Sequence, residues 1–106
     1  MKSPYECQSI DEVRHLIDDI DRQIIAALGL RFECVKAIMR FKQTEEEVRA
    51  PQRYQAVLAQ RRLWAQEAGL SPDLVEEMYR LLVGRFIDYE LETLADASPL
   101  DEAGLT

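Results

Sequence analysis

The chain has few of the residues that metal binding or covalent catalysis require. Among its 106 residues there is one histidine, His15, and two cysteines, Cys7 and Cys34, which form no Cys-x-x-Cys pair. These residues supply neither a metal-ligand set nor a nucleophile–histidine pair. With so few cysteines, we expect free thiols in a reducing cytoplasm. We therefore expect a cytoplasmic protein that uses no metal and no cofactor.

Positive charge and long apolar runs are also scarce. Thirteen Lys and Arg residues against twenty Asp and Glu residues give a formal net charge of −7. This balance argues against nucleic acid as a partner and disfavours anionic membranes. No apolar run approaches the length of a membrane span, and the N-terminus lacks the apolar core of a signal peptide. A site for a small anion would need a local cluster of cations.

The chain is rich in helix-forming residues, and its four glycines and four prolines fall mostly at segment boundaries. The spacing of apolar residues and the capping residues predict three helices, over residues 9–42, 51–68 and 72–95. We expect one all-α domain over residues 1–95, followed by an acidic, disordered tail over residues 96–106.

The first predicted helix is too long for a single small domain to cover. Its apolar side chains recur at helical spacing, and the rod would be roughly 50 Å long, which exceeds the diameter of a compact domain of this size. The stripe consists of Val13, Leu16, Ile17, Ile20, Ile24, Leu28, Val35, Ile38 and Met39. We expect a second copy of the chain to cover part of it.

Basic residues interrupt or border this stripe. Arg31 lies within it, where a charge is costly unless it is paired, so Arg31 is either part of a buried ion pair or a ligand for an anion. Lys42 lies farther along the same side and could act with Arg31 on a small molecule that carries carboxylate or ether oxygens. Alternatively, Lys42 is a surface lysine that pairs with Glu45 or Glu46.

Arg14 precedes Arg31 by about 25 Å along the helix, too far to serve the same small ligand within one chain. If two first helices pack antiparallel, Arg14 of one chain approaches Arg31 of the other, and two equivalent sites result. The alternative for Arg14 is a surface pair with Asp18.

Glu90 lies on the predicted inner face of the third helix, beside Ile87. It either faces a bound ligand or is the structural partner of Arg31. Val35, Ile38 and Ile87 are the apolar residues that we expect to contact the substrate.

Several motifs resemble those of the small all-α chorismate mutase family, and within it the isochorismate-pyruvate lyases. The resemblance covers about the first 95 residues and rests on Met-Lys-Ser-Pro with Cys7, Ile17-Asp18, Ile20-Asp21, Ala27-Leu28-Gly29 with Arg31, Val35-Lys36-Ala37, Arg40-Phe41-Lys42, Ala50-Pro51 with Arg53, Trp64-Ala65 with Glu67, and Gly69-Leu70. It implies the intertwined homodimer of the chorismate mutase type II fold, which would cover the long first helix.

The resemblance also implies a site and a reaction. The site would use Arg31, Lys42 and Glu90 of one chain and Arg14 of its partner. A carboxyl group donates a hydrogen bond only when protonated, so a donor role of Glu90 at the ether oxygen predicts that activity falls as pH rises. The reaction would be the pericyclic conversion of isochorismate to salicylate and pyruvate, as in siderophore biosynthesis, with weak chorismate mutase activity alongside. Ordinary mutases of this fold carry an adjacent arginine–glutamate pair early in the second helix, whereas this sequence reads Arg53-Tyr54-Gln55 without that acid, which favours the lyase.

Two positions depart from the lyase pattern, since lyases usually carry glutamine in place of Glu90 and a small residue in place of Ile38. The alternative activity is therefore that of a chorismate mutase or an aminodeoxychorismate mutase. A non-enzymatic alternative is a helical dimerisation module in which Arg31 and Glu90 form a structural pair.

Overall fold

A computed structural model describes residues 2–97, and every regular element within that range is helical. The α-helices are α1 (Ile10–Ile38), α2 (Glu45–Arg49), α3 (Pro51–Glu67) and α4 (Pro72–Asp96), and 3-10 turns occupy Pro4–Glu6 and Met39–Phe41. The prediction of an all-α chain with a very long first helix is confirmed. The predicted tail begins inside the last turn of α4, and its residues 98–106 lie outside the described residues.

The prediction that the first helix continues to Lys42 is wrong. Regular α-helix ends at Ile38, a 3-10 turn follows, and Lys42 has an extended backbone with φ −110° and ψ 124°. The polar stretch after Lys42 also contains a helix that the periodicity does not predict, because α2 is only five residues long. Its start has a local cause, since Thr44 and Glu47 form a capping box.

The chain folds as two compact units, one that ends at Cys34 and one that begins at Val35. In the first unit, the segment before α1 is attached to the helix by Glu12. The Glu12 carboxylate accepts hydrogen bonds from the Gln8 amide at 2.8 Å and from Lys2 Nζ at 3.2 Å. These two donors, the Gln8 amide first, hold the pKa of Glu12 below its ordinary value.

The apolar face of α1 is largely exposed within a single chain. Leu16 is the buried residue of this helix, whereas Ile17 and Ile24 are each 49% exposed and Ile20 is 38% exposed. A helix with an apolar face this open is stabilised poorly by its own chain, since most helical stability in proteins comes from packing of that face.

In the second unit, α4 is the element against which both α2 and α3 pack. Ser71 caps α4 by accepting a hydrogen bond from the Leu74 amide at 3.2 Å, and Pro72 occupies its first turn. The buried apolar side chains of this unit are Val48, Val57, Leu58, Ala65 and Val75. Within the described residues, no helix is both long and apolar enough to cross a membrane.

Candidate active site

The second unit contains a buried ion pair between Lys42 and Glu90. Lys42 Nζ donates a hydrogen bond to Glu90 Oε2 at 2.8 Å, although the two residues are 48 positions apart in the sequence. The Lys42 side chain is 17% exposed and that of Glu90 is 7% exposed. Between residues 2 and 97, Glu90 is the one charged or polar residue that is buried. Such a charge-assisted bond is shorter and stronger than a neutral one.

Lys42 and Glu90 lie on two different kinds of local structure. Glu90 lies on α4, on the side that is withdrawn from water. Lys42 comes from the irregular segment after α1, where its amide donates to the Met39 carbonyl at 3.3 Å and ends the 3-10 turn. The departure from α-helix at Ile38 therefore sets the direction in which Lys42 leaves the backbone.

The contacts decide one of the alternatives that the sequence leaves open. The pairing of Lys42 with Glu45 or Glu46 is wrong, because Lys42 bonds Glu90 and because Glu45 accepts a hydrogen bond from Arg49 Nε at 2.9 Å. Glu90 has the buried position that the sequence predicts, and Lys42 is the cation that bonds it. A buried ion pair stabilises only modestly against its desolvation cost, and removal of one partner leaves the other charge unpaired.

The three apolar residues that the sequence places at the site differ in burial. Val35 and Ile87 are half-buried, and Ile38 is 44% exposed at the end of α1. All three belong to the same unit as Lys42 and Glu90. Their contact with a substrate stays a prediction.

Both candidate arginines lie in the first unit. Arg14 is 72% exposed at its side chain and lies 3.8 Å from Asp11, so its predicted surface partner Asp18 is wrong. An exposed pair at that distance contributes little to stability. Arg31 is half-buried and has interactions within the structure. The roles of both arginines in binding stay predictions.

Sequence reasoning missed the hydrogen bonds that Glu47 accepts from the two residues directly after Lys42 in the chain. Glu47 Oε1 accepts from the Gln43 amide at 3.0 Å, the Thr44 amide at 3.1 Å and the Thr44 hydroxyl at 3.2 Å. The signal was present as Thr-x-x-Glu, which is the capping-box pattern.

Comparison with known proteins relates the sequence of this chain to a known family. A family model described as chorismate mutase type II matches residues 13–91, a range that includes Arg14, Arg31, Lys42 and Glu90. The chain is 38% identical to the isochorismate pyruvate lyase of Pseudomonas aeruginosa over 92 aligned residues. The aligned region covers 87% of this chain and 91% of that protein. It is also 36% identical to the T-protein of Haemophilus influenzae over 74 aligned residues. This second alignment covers 69% of this chain but 20% of that protein.

Proposed function

The chain belongs to the chorismate mutase type II family, and we propose that it is an isochorismate pyruvate lyase that forms salicylate and pyruvate. The similarity to the Pseudomonas lyase supports this proposal because it extends over most of both chains. The observation that carries it is the Lys42–Glu90 pair, which holds an ammonium group in a largely water-excluded position. There, a hydrogen-bond donor acts more strongly on developing negative charge than it would in water.

The proposed reaction needs no nucleophile. A hydrogen moves from the ring of isochorismate to the methylene carbon of its enolpyruvyl group while the ether C–O bond breaks, which yields salicylate and pyruvate together. The protein contributes by holding the substrate in a compact conformation and by stabilising charge on the ether oxygen. An ammonium group has three N–H donors, so Lys42 can keep its bond to Glu90 and donate another to the ether oxygen or a carboxylate.

The role that we propose for Glu90 is to hold Lys42. As an ionised acceptor, Glu90 fixes the direction of the ammonium group at 2.8 Å. This differs from the donor role considered from the sequence, which requires a protonated Glu90 and predicts falling activity as pH rises. A pH profile of kcat distinguishes them, because the acceptor role predicts no loss as pH rises from acid to neutral.

We propose a homodimer in which Arg14 of the partner completes each site. Arg14 and Arg31 would bind the two carboxylates of the substrate, preferably through bidentate hydrogen bonds, and Val35, Ile38 and Ile87 would contact its apolar parts. The exposed apolar face of α1 and the weakly held Arg14 side chain support this arrangement. We also propose that the enzyme acts in the cytoplasm.

The test is a product assay on the purified protein, with isochorismate and chorismate supplied separately. The proposal predicts equal amounts of salicylate and pyruvate from isochorismate, and little or no prephenate from chorismate. Prephenate as the dominant product would show a chorismate mutase instead, an activity that Glu90 also suits because some mutases carry glutamate at this position. Neither product from a folded protein would favour the dimerisation module.

A further inference from the structure

A single carboxylate, that of Glu47, accepts the hydrogen bonds that fix the backbone of the two residues after Lys42. Glu47 Oε1 accepts hydrogen bonds from the amides of Gln43 and Thr44 and from the Thr44 hydroxyl, at 3.0, 3.1 and 3.2 Å. In return, the Thr44 hydroxyl accepts from the Glu47 amide at 3.1 Å. A capping box bonds the amide of the capping residue, whereas here the amide of the preceding residue is bonded as well.

That additional bond reaches the residue next to Lys42. The backbone of Lys42 is therefore held on both sides, by the Met39 carbonyl before it and through the Gln43 amide after it. Lys42 itself is extended, so the bond from its amide to the Met39 carbonyl is the last of the 3-10 turn and regular helix does not continue through it. The direction of its side chain depends on these two attachments and on Glu90.

The helix that carries Glu47 is itself anchored. Val48 is the one apolar residue of α2 and is 2% exposed, and α2 packs against α4, which carries Glu90. At its other end, α2 stops at Ala50, whose left-handed backbone (φ 38°, ψ 62°) is unfavourable for a residue with a β-carbon. Surrounding contacts must hold a residue in such a conformation.

We propose that Glu47 is a positioning residue for Lys42. Because α2 is packed against α4, the bond from the Gln43 amide to Glu47 fixes the backbone directly after Lys42. The Lys42 ammonium group is thereby directed at Glu90 and, when substrate is bound, at the ether oxygen. This inference rests on the proposed function only for its catalytic consequence. The effect on Lys42 itself is independent of the reaction.

The first experiment measures the reactivity of Lys42 toward a small amine-acylating reagent, by peptide mass spectrometry. The chain has three lysines, Lys2, Lys36 and Lys42, so each is followed separately, and the exposed Lys36 is an internal reference. In Glu47→Ala we expect Lys42 to react roughly fivefold faster relative to Lys36, the effect of losing one cap. Glu46→Ala is the matched control, because it removes the same charge one position earlier.

The second experiment measures kinetics with isochorismate on the same variants. Glu47→Ala should lower kcat roughly fivefold with a smaller change in KM, because Lys42 is displaced from the reacting oxygen. Glu46→Ala should match the wild type. Glu47→Gln should restore both kcat and Lys42 protection, since its amide oxygen accepts the same hydrogen bonds.

The results separate this inference from the proposed function. Equal Lys42 reactivity in Glu47→Ala and Glu46→Ala would overturn the inference whatever the activity. Absence of lyase activity in the wild type, with Lys42 deprotected only in Glu47→Ala, would sustain the positioning role and reject the proposed reaction. If Glu47→Ala does not fold, Glu47→Asp carries the same test, because it keeps the charge but its side chain is one methylene too short to reach the Gln43 amide.

Discussion

The two units of the chain are stabilised in different ways. In the unit that begins at Val35, α2 and α3 pack against α4, and even a lysine and a glutamate are withdrawn from water together. In the unit that ends at Cys34, one long helix exposes isoleucines, and the Lys2–Glu12 and Arg14–Asp11 pairs lie at the surface. The difference indicates that the second unit holds the Lys42–Glu90 pair by its own packing, whereas the first unit leaves most of its apolar face exposed.

The largest effects should follow from breaking the buried pair. Lys42→Met should lower kcat/KM for isochorismate by about 10²–10³-fold, since a donor in a water-excluded site is lost. It should also lower the free energy of unfolding by about 3 kcal/mol, because Glu90 is left buried without a partner. Kinetics and denaturant unfolding measure the two quantities.

The double variant Lys42→Met with Glu90→Leu sharpens this result. Replacing both charges by apolar side chains should recover most of the lost stability but none of the activity. An active double variant would contradict the proposed role of Lys42, and an unstable one would show that the pair has a structural role beyond its two charges.

The next effect concerns the arginines of the first unit. Arg14→Ala and Arg31→Ala chains should each lose about 10²-fold or more in activity, because each lacks one carboxylate ligand. A heterodimer of the two variants has one intact site of two, and should recover about half of the wild-type activity. Purified heterodimers that stay inactive would contradict a site shared between chains.

A smaller change should follow from charging the exposed face of α1. Ile24→Glu places a carboxylate in the middle of the apolar stripe and should weaken dimer formation by roughly tenfold or more, as measured by analytical ultracentrifugation. Gln23→Glu is the control, because it adds the same charge to the preceding residue of the same helix, which does not belong to the apolar stripe. Equal dissociation of both variants would mean that this face is not the interface.

The smallest effect should come from Glu12. Its pKa is lowered in the folded chain from an ordinary value of 4.5, so its contribution to stability is present above that value and is lost as pH falls through the lower folded pKa. The Gln8 amide resonance should shift across that acid range in the wild type. In Glu12→Gln this shift should disappear, and a shift that persists would assign the titration to another group.

Much of the fold follows from local signals in the sequence. Ser71-Pro72 marks the start of α4, and the apolar spacing predicts α1 and the inward position of Glu90. The end of α1 could not be predicted, because Lys42 is as good a helix former as its neighbours and its contact with Glu90, 48 positions away, leaves no local signal in the sequence. Periodicity is uninformative for α2, since a five-residue helix has too few turns.

The sequence also did not allow us to predict which residues pair at the surface. Arg14 has acidic residues on both sides at helical spacing, and the choice of Asp11 over Asp18 depends on rotamers whose energies differ little. The capping pattern at Thr44 was readable, but its extension to the Gln43 amide requires the actual direction of the chain after Lys42.

Ala50 is at once the residue that caps the end of α2 and the residue before α3, since its amide donates to the Glu46 carbonyl and its carbonyl accepts from the Tyr54 amide. The linker between α2 and α3 is therefore a single residue whose amide and carbonyl are both hydrogen-bonded. One inserted residue would separate these two hydrogen bonds, because a single residue could no longer complete the end of α2 and the start of α3. Loops usually tolerate changes in length, but we expect this junction to accept substitutions far more readily than insertions or deletions.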